Sequence, residues 1–451
     1  MKARLATATV WFLAASALLA TEPLKVGVAT VDITPTGPVW MHGYAGRKSP
    51  STGVFKNLSA SCVVFDNGRT RAGVMALDVC YISTQQLAGI REAAEKLGIP
   101  PHQMMVNSSH THCGPSFSSR NADYLGLFAA RTSNLVEAAV ANLKEATLDY
   151  TVGQSLVGLN RRQVGKNGKV AGIAPEPRKR IDMDVPVLRV LGGTNEVRAL
   201  IFGYTCHPVT MGGYEISPDY PGPAREWIAA AFTNCQPVFL QGFGGDVRPR
   251  IATANGKFGY VLVDAKQMLV ELGHQLGRDV VSAACVPLPS VAAPPGEPMP
   301  LACVSEKLAL PLKVPADVGR DVRTPSSSAK AKPLPEKSSS KVAIPPKDSK
   351  QTREIELAVL RIGDIYMIFG QGELCSEIGL RIKRELADWC KQTRSQLWTC
   401  GYSHWGGGYI PHAAAYPEGG YEVGASAVGP GAEAIIVRRA VAMVKALRGG
   451  K

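Results

Sequence analysis

The sequence lacks the local motifs that assign an enzyme to a catalytic class at first sight. No G-x-S-x-G, G-x-x-x-x-G-K-[ST] or H-E-x-x-H is present, which excludes a serine-hydrolase elbow, a phosphate-binding P-loop and a zincin helix. None of the ten cysteines belongs to a C-x-x-C pair, which excludes a zinc ribbon and a thioredoxin-type motif. Beyond the first twenty residues no stretch approaches 18 consecutive apolar residues, so a membrane-spanning helix is not expected there.

Acidic residues are the scarcer charged class, at 37 Asp and Glu against 50 Lys and Arg, and the net charge is +13. Most of the excess lies in two segments: residues 160–180 carry seven basic and one acidic residue, and residues 315–353 carry nine and four. The rest of the chain is near neutral. Because no basic helix with interleaved aromatic residues occurs, nucleic acid is not an expected partner.

The first twenty residues have the layout of a secretory signal peptide. Lys2 and Arg4 precede an apolar run from about Val10 to Leu19, and small residues lie near a cleavage point after residue 20. The run is too short to span a bilayer; the alternative is a short anchor that stays attached. We therefore expect residues 1–20 to be removed and the mature protein to be secreted or periplasmic, where disulfides are permitted.

The apolar pattern after this leader alternates between strands and helices. The segment SCVVFDNGRTRAGVMALDVC predicts a hairpin with an Asn-Gly turn. Helical periodicity marks QQLAGIREAAEKLG and residues 122–144, 224–233, 260–283, 373–391 and 432–448. No internal repeat is visible. The pattern predicts an α/β fold of mixed β-sheets flanked by helices, built as a single large domain over residues 21–451.

Residues 315–353 interrupt the pattern with six Pro, seven Ser, scattered Lys and almost no large apolar residue. We expect this segment to be a disordered basic insertion. The strand-like runs KLALPLKV and IELAVLRI on either side of it predict one extended hairpin. A further hypothesis is that the insertion makes a peripheral contact with an anionic membrane surface.

The sequence has only eight histidines, so their placement is informative. His110 and His112 follow a predicted strand in NSSHTHCGP, and at i and i+2 of an extended chain both imidazoles point to the same side. His207 follows the predicted strand ALIFGYTC, at the strand end where α/β proteins place their ligands. Each position taken alone is also compatible with a structural role.

Two carboxylates also follow apolar strands. Glu373 follows IYMIFGQG and is expected to open a helix, so a capping role is the alternative to a ligand role. Asp246 follows VFLQ on a Gly-rich turn whose N–H groups are expected to face a substrate oxygen. Two imidazoles and one carboxylate with an open position suit a catalytic zinc that acidifies bound water. A Cys-His pair using Cys113 or Cys206 is a competing interpretation without a supporting local signature.

Six blocks in a fixed order resemble the neutral (alkaline, non-lysosomal) ceramidase family, specifically its N-terminal catalytic domain. The blocks are VGVATVDITP with GYAGR, NSSHTHCGP, GYTCHPVT with ISPDYPG, GGDVRP, GQGEL and GYIPHAAAYPEGGYEVGAS. The similarity extends from about Lys25 to the C-terminus, apart from the basic insertion. It implies a zinc-dependent amidase that hydrolyses the N-acyl amide of ceramide, a sphingolipid, to sphingosine and a fatty acid.

The resemblance also implies roles for individual residues. The zinc ligands would be His110, His207, Glu373 and Tyr409. His112 would lie near the metal-bound water, Arg161 in LNRRQ would be an arginine of the substrate pocket, and Tyr421 a second active-site tyrosine. In physical terms, Tyr409 and Arg161 suit stabilisation of the oxyanion that develops on an amide.

Two positions depart from the family pattern. GGDVRP carries Arg248 where the family has a serine important for activity, and Cys113 replaces the usual serine after H-T-H. A guanidinium cannot copy the proton transfer of a hydroxyl, and it adds a permanent charge. Three alternatives therefore stay open: cleavage of ceramide, hydrolysis of another amide or ester whose anionic group binds Arg248, and a metal-binding pseudoenzyme. A structural ion pair between Arg248 and Asp246 is the other interpretation of this arginine.

Overall fold

The computed structural model describes residues 22–193, 196–251, 264–291, 293–294, 296–314 and 352–449. The expected signal peptide lies outside this part of the chain, and so does the expected insertion except for Thr352 and Arg353, which begin a strand. Within the described ranges, no helix combines the length and the apolar character needed to cross a membrane.

Three successive units of the chain share one order of principal elements: three strands, a helix, a fourth strand and a closing helix. The first unit contains β1 (Lys25–Asp32), β2 (Gly53–Val54), β3 (Ser59–Asp66), β4 (Arg71–Leu77), α1 (Thr84–Glu95), β5 (Met104–Ser108) and α2 (Ala122–Ala141), followed by β6 (Lys144–Glu145). The second contains β7 (Thr147–Gln154), β8 (Gly158–Asn160), β9 (Asp184–Leu191), β10 (Val197–Tyr204), β11 (Glu215–Ile216), α3 (Pro221–Ala231), β12 (Gln236–Gln241), β13 (Val247–Pro249) and α4 (Ala265–Ala284). The third contains β14 (Leu301–Pro311), β15 (Thr352–Ile362), β16 (Ile365–Gly370), β17 (Glu373–Leu374), α5 (Ser376–Thr393), β18 (Gln396–Cys400), β19 (Tyr409–Ile410), α6 (Ala415–Glu418), α7 (Tyr421–Ala425) and α8 (Gly431–Gly449).

Each unit builds one mixed sheet with the same topology. The strand orders are β5-β4-β3-β1, β12-β10-β9-β7 and β18-β16-β15-β14, and β6 extends the first sheet beyond β1. In every sheet the first three strands are antiparallel, and the fourth is parallel to the third. The remaining short strands pair as β2–β11, β8–β13 and β17–β19. The predicted α/β class with mixed sheets is confirmed.

Both predicted hairpins are present. β3 and β4 pair around the Asn-Gly turn, where Gly68 adopts a φ of +80°. β14 and β15 pair from Leu301↔Ile362 to Pro311↔Thr352, so strands on either side of the expected insertion form one ladder. The expected insertion therefore lies, in the sequence, between two strands that pair with each other.

The three sheets share one apolar core, and each also packs against its own pair of helices. The shared core takes residues from all three sheets, among them Phe65, Leu188 and Phe369. Separate clusters lie under α1 and α2, under α3 and α4, and under α5 and α8. Strands buried on both faces need nearly continuous apolar sequence, and this is why runs such as IYMIFG are entirely buried.

The carboxyl ends of the fourth strands meet at the side chain of Asn107. Its Nδ2 donates to the carbonyl oxygens of Gln241 (3.2 Å) and Gly401 (2.6 Å), and its Oδ1 accepts from the Gln241 N–H (2.8 Å). Asn107, Gln241 and Gly401 come from or directly follow β5, β12 and β18. The loops that follow the three sheets are thereby held together at one place.

Candidate metal centre

Each unit delivers side chains to this meeting point from equivalent positions. Cys80, His207 and Glu373 each lie three residues after the third strand of their unit. His110 and Tyr402 each lie two residues after a fourth strand, and their rings pack with centroids 4.3 Å apart. The site is therefore assembled from all three units.

Two imidazoles and one carboxylate converge at its centre. Glu373 Oε2 lies 3.1 Å from His207 Nε2 and 3.3 Å from His110 Nε2. One donor atom from each of these residues lies within 4.8 Å of the other two. The opposite ring nitrogen of His110 faces the Cys80 carbonyl oxygen at 2.9 Å, and that of His207 faces the Gly244 carbonyl oxygen at 2.7 Å. With Nδ1–H donating to these carbonyls, both Nε2 lone pairs point inward, which is the orientation of metal-binding histidines.

His112 contacts the centre through a different backbone geometry from the one expected. Its Nε2 lies 3.2 Å from His110 Nε2, but His110 has a φ of +67°. The expected extended backbone at His110 is therefore wrong, because a left-handed residue turns the chain there. The two imidazoles nevertheless face one another, packed edge to face.

Tyr409 and Arg161 border the centre on one side. Tyr409 Oη lies 3.4 Å from His207 Nε2 and accepts a hydrogen bond from Arg161 Nη2 at 3.1 Å. Arg161 Nε and Arg162 Nη1 both donate to the Glu422 carboxylate, at 2.7 and 2.5 Å. Because Arg161, Arg162 and Glu422 are all buried, the Arg161 guanidinium is held firmly against the tyrosine.

Tyr421 lies on the solvent side of this group. Its side chain is 51% exposed, and its ring centroid lies 5.4 Å from that of Tyr409. The guanidinium carbon of Arg161 lies 5.7 Å from the Tyr421 ring centroid. Tyr421 can therefore meet a bound molecule without contacting the His110–His207–Glu373 cluster directly.

Asp246 faces away from the cluster and caps a helix. Its Oδ1 accepts the Ser376 N–H at 2.7 Å, and its Oδ2 accepts from Asn160 Nδ2 at 3.0 Å. This corrects the expectation for Glu373: α5 begins at Ser376, Glu373 lies in β17, and the carboxylate at the helix N-terminus belongs to Asp246. On the turn itself, the N–H groups of Gly245 and Val247 donate to the carbonyl oxygens of Leu374 and Gly244, so these two N–H groups do not face a substrate oxygen as expected.

Arg248 lies in β13, paired with Leu159 of β8. Its Nη2 donates to the Val209 carbonyl oxygen at 3.5 Å. Asp246 accepts from Asn160 Nδ2 and from the Ser376 N–H, and within the described residues no ion pair joins it to Arg248. The interpretation of Arg248 as a structural partner of Asp246 therefore finds no support there.

Burial and charge strongly perturb the pKa values at the centre. Burial alone would raise the pKa of the Glu373 carboxyl, but His110 and His207 lower it well below its usual range. Burial and the charges of His110 and His207 lower the pKa of His112 well below 6.5, so His112 is neutral at pH 7. Burial raises the pKa of the Tyr409 phenol. A carboxylate that stays ionised beside two buried imidazoles favours a positive charge at this position, either a proton on His110, whose pKa rises to about 10, or a bound cation.

A cleft of about 450 Å³ lies beside the centre. His42 and Tyr81 form one wall, and the Tyr81 ring centroid is 6.1 Å from that of His110. The lining also includes Ile82, Ser83, Thr84, Ser116, Phe117, Ser118, Arg353, Trp405, Gly406, Gly407 and Gly408. The cleft thus combines apolar and aromatic side chains with hydroxyl groups and one guanidinium.

Sequence reasoning missed Cys80, Tyr402 and Glu422. Cys80 and Tyr402 follow apolar strands, as His207 and His110 do, and this shared position was the available signal. Glu422 offered none, because its partner Arg161 is 261 residues away in the chain.

Comparison with known proteins gives similarity at the level of structure. No protein-family model matches the chain, and no curated protein matches it. The structure is similar to the neutral ceramidase from Pseudomonas aeruginosa, with a TM-score of 0.75 and 17% sequence identity over 95% of this chain and 75% of that chain. A ceramidase complexed with C2 aligns over the same fractions, with a TM-score of 0.74 and 18% identity. The expected resemblance to neutral ceramidases is confirmed for the fold.

Proposed function

We propose that this chain is a zinc-dependent amide hydrolase that cleaves the N-acyl amide of a lipid, with ceramide as the first candidate substrate. One observation carries the proposal: His110, His207 and Glu373 bring inward-facing donor atoms within 4.8 Å of one another in a buried site, on a fold shared with neutral ceramidases.

The donor set fits zinc. Two imidazole nitrogens and one carboxylate oxygen are the ligands of many catalytic zinc sites, and the Tyr409 phenol lies next to them. A zinc ion held there would supply Lewis acidity toward water and a carbonyl oxygen. The backbone carbonyls that accept from both Nδ1 atoms would keep the two rings oriented for the ion.

The surrounding side chains have complementary tasks. His112 is neutral at pH 7 and its Nε2 faces the centre, so it can take a proton from water and return it to the leaving amine. Arg161 presents a fixed positive charge and Tyr409 a hydroxyl, both suited to negative charge that develops on the amide oxygen. Tyr421 is half-exposed beside Tyr409 and Arg161, and it would orient a substrate that reaches these two residues.

A second candidate substrate is an amide that carries an anionic group. Arg353 places a guanidinium in the wall of the cleft, and Arg248 adds another near the His207 loop. Either arginine would bind a carboxylate or phosphate more strongly than the neutral head of ceramide. A non-catalytic metal-binding protein is the remaining alternative.

The decisive experiment measures metal content and amide cleavage on the same purified protein, with and without added zinc. The substrates are ceramide and an N-acyl amino acid with the same acyl chain, and the variants are Arg248→Ser and Glu373→Gln. Cleavage of ceramide by the unaltered chain supports a ceramidase that works with Arg248. Two outcomes support a changed substrate. In the first, the unaltered chain binds zinc and cleaves the N-acyl amino acid but not ceramide. In the second, it binds zinc, and ceramide is cleaved only by the Arg248→Ser variant. A zinc content that is unchanged in Glu373→Gln, or no cleavage of any amide, refutes the proposal.

We also propose that the chain is exported and meets its lipid at a membrane surface. The leader and most of the basic insertion lie outside the described residues, so the support is the sequence pattern alone. Deletion of residues 315–351 should weaken retention on vesicles that contain anionic lipid at low salt. Unchanged retention would refute the contact with the membrane. A purified protein whose N-terminus is still Met1 would refute cleavage of the leader and export.

A further inference from the structure

A second group of metal-binding side chains lies behind the candidate centre. Donor atoms of Asp246, Cys375 and His412 lie within 4.8 Å of one another. Asp246 comes from the turn after β12, Cys375 directly precedes α5, and His412 lies two residues after β19. This group shares no residue with the His110–His207–Glu373 cluster.

Hydrogen bonding within the protein leaves this group incomplete. His412 Nδ1 is buried and has no hydrogen-bond partner in the described part of the chain. The Asp246 oxygens each accept one hydrogen bond, and a carboxylate oxygen has a further lone pair available. Asp246 and Cys375 are 1% and 0% exposed. An unpartnered imidazole nitrogen beside a buried thiol and a buried carboxylate is costly unless a ligand joins them.

We propose that Asp246, Cys375 and His412 bind a second metal ion, of the zinc class, with a structural role. Thiolate, carboxylate and neutral imidazole are each zinc ligands in proteins, and a water molecule would complete the four-coordinate site. The two negative charges balance a divalent cation, so the loaded site is neutral, as burial requires. The nearby guanidinium of Arg162 is already balanced by Glu422 and Glu418.

The position of this site would let the ion stabilise the strands that carry Glu373 and Tyr409. Cys375 and His412 continue the paired strands β17 and β19, which carry Glu373 and Tyr409. These strands are joined by the Glu373 N–H to the Gly408 carbonyl (2.9 Å) and by the Cys375 N–H to the Ile410 carbonyl (3.1 Å). An ion bound behind them would fix both strands to the Asp246 turn. It would thus position two residues of the catalytic centre without touching substrate.

Cobalt substitution tests the proposal, because Co²⁺ bound by a thiolate has a near-ultraviolet charge-transfer band that imidazole and carboxylate ligands do not produce. We expect two metal ions per chain, with the thiolate band present. Cys375→Ser should abolish the band and leave one ion, whereas Glu373→Gln should remove the other ion and keep the band. Cys390→Ser, on the helix α5 that follows Cys375, is half-buried; it is the matched control and should change neither quantity.

Three results would overturn the second site. The first is a single ion per chain with no thiolate band, and the second is a band that survives in Cys375→Ser. The third is a band that is lost in Cys80→Ser, which would assign the thiolate to Cys80, 3.5 Å from His110 Nδ1. If Cys375→Ser fails to fold, His412→Gln replaces it, and retention of both ions in that variant would equally refute the proposal. Because the Glu373-dependent ion is counted separately, failure of this site is distinct from failure of the proposed function.

Discussion

The backbone of Gly43 lies directly against the imidazole of His112. A Cβ at Gly43 would fall 2.3 Å from His112 Cγ and 2.8 Å from His112 Cα, and the φ of Gly43 is +95°. Tyr44 packs edge to face on the same ring, with centroids 4.8 Å apart. The GYAGR segment of the sequence therefore forms the wall that positions His112.

Gly43→Ala should displace His112 and lower kcat without removing metal. A displacement of about 1 Å of a catalytic group costs roughly 100-fold in rate, so we expect a decrease of about 10- to 100-fold. Gly46→Ala is the control in the same segment, because a Cβ there meets nothing within 4 Å. Steady-state kinetics with metal analysis check this, and equal kcat values for the two variants would refute the positioning role.

Glu422→Gln should destabilise the folded protein severely. The carboxylate of Glu422 neutralises both Arg161 and Arg162 in a buried setting, and removing one partner of a buried ion pair costs about 3–5 kcal/mol of the free energy of unfolding. Urea unfolding followed by circular dichroism measures the loss. Glu92→Gln, which breaks the exposed ion pair with Lys96, should leave the urea midpoint unchanged, and a similar midpoint for both variants would contradict the prediction.

Glu373→Gln should remove the catalytic ion. The glutamine side chain has no negative charge and only one acceptor oxygen, whereas the Glu373 carboxylate that faces His110 and His207 has two oxygens and a full charge. Loss of a residue that hydrogen-bonds to a metal ligand lowers metal affinity by about 10- to 100-fold. Loss of a ligand itself should lower the affinity at least as much. Equilibrium dialysis against a chelator measures the affinity. Glu377→Gln, on the first turn of α5, is the control; equal affinities in the two variants would argue against Glu373 as a ligand.

Acidification should destabilise the protein through His404. This buried imidazole lies 3.3 Å from Arg91 Nη2 and 3.8 Å from Glu356 Oε1. Burial lowers its pKa from 6.5 to about 4. As pH falls from 6.5 toward 4, the unfolded chain binds a proton at this position and the folded chain does not, so the free energy of unfolding decreases.

In His404→Asn, the free energy of unfolding should fall less between pH 6.5 and pH 4, by up to about 3 kcal/mol, since each pKa unit corresponds to about 1.4 kcal/mol. Asn also tolerates the φ of +65° at this position. Urea unfolding of both proteins at pH 7.5, 5.5 and 4.5 measures the difference. Parallel pH profiles would show that His404 does not contribute.

Local sequence patterns predicted the parts of the fold that depend on neighbouring residues. Apolar strands followed by polar side chains identified His110, His207 and Glu373, because strand ends are visible in periodicity. The backbone turn at His110 and the start of α5 at Ser376 were not predicted, because each depends on contacts with residues distant in the chain. The His110 N–H, for instance, donates to the Val79 carbonyl oxygen. The Asp246 cap of α5, for example, joins residues 130 positions apart.

The threefold repetition of the architecture was invisible for a different reason. The order and direction of the strands and helices repeat, while the side chains that reach the centre from equivalent positions differ. Cys80, His207 and Glu373 are a thiol, an imidazole and a carboxylate at the same place in three units. Apolar packing constrains which positions in each sheet are buried, but it does not fix which residue occupies each position.

Distribution of the centre over three units also determines when it can exist during biosynthesis. His110 is made with the first unit, His207 with the second, and Glu373 and Tyr409 only with the third. A nascent chain that ends before Tyr409 lacks at least one of these side chains, so the centre can form only after the third unit has been made up to that residue. The proposed ion would therefore be acquired only in the compartment where the third unit folds.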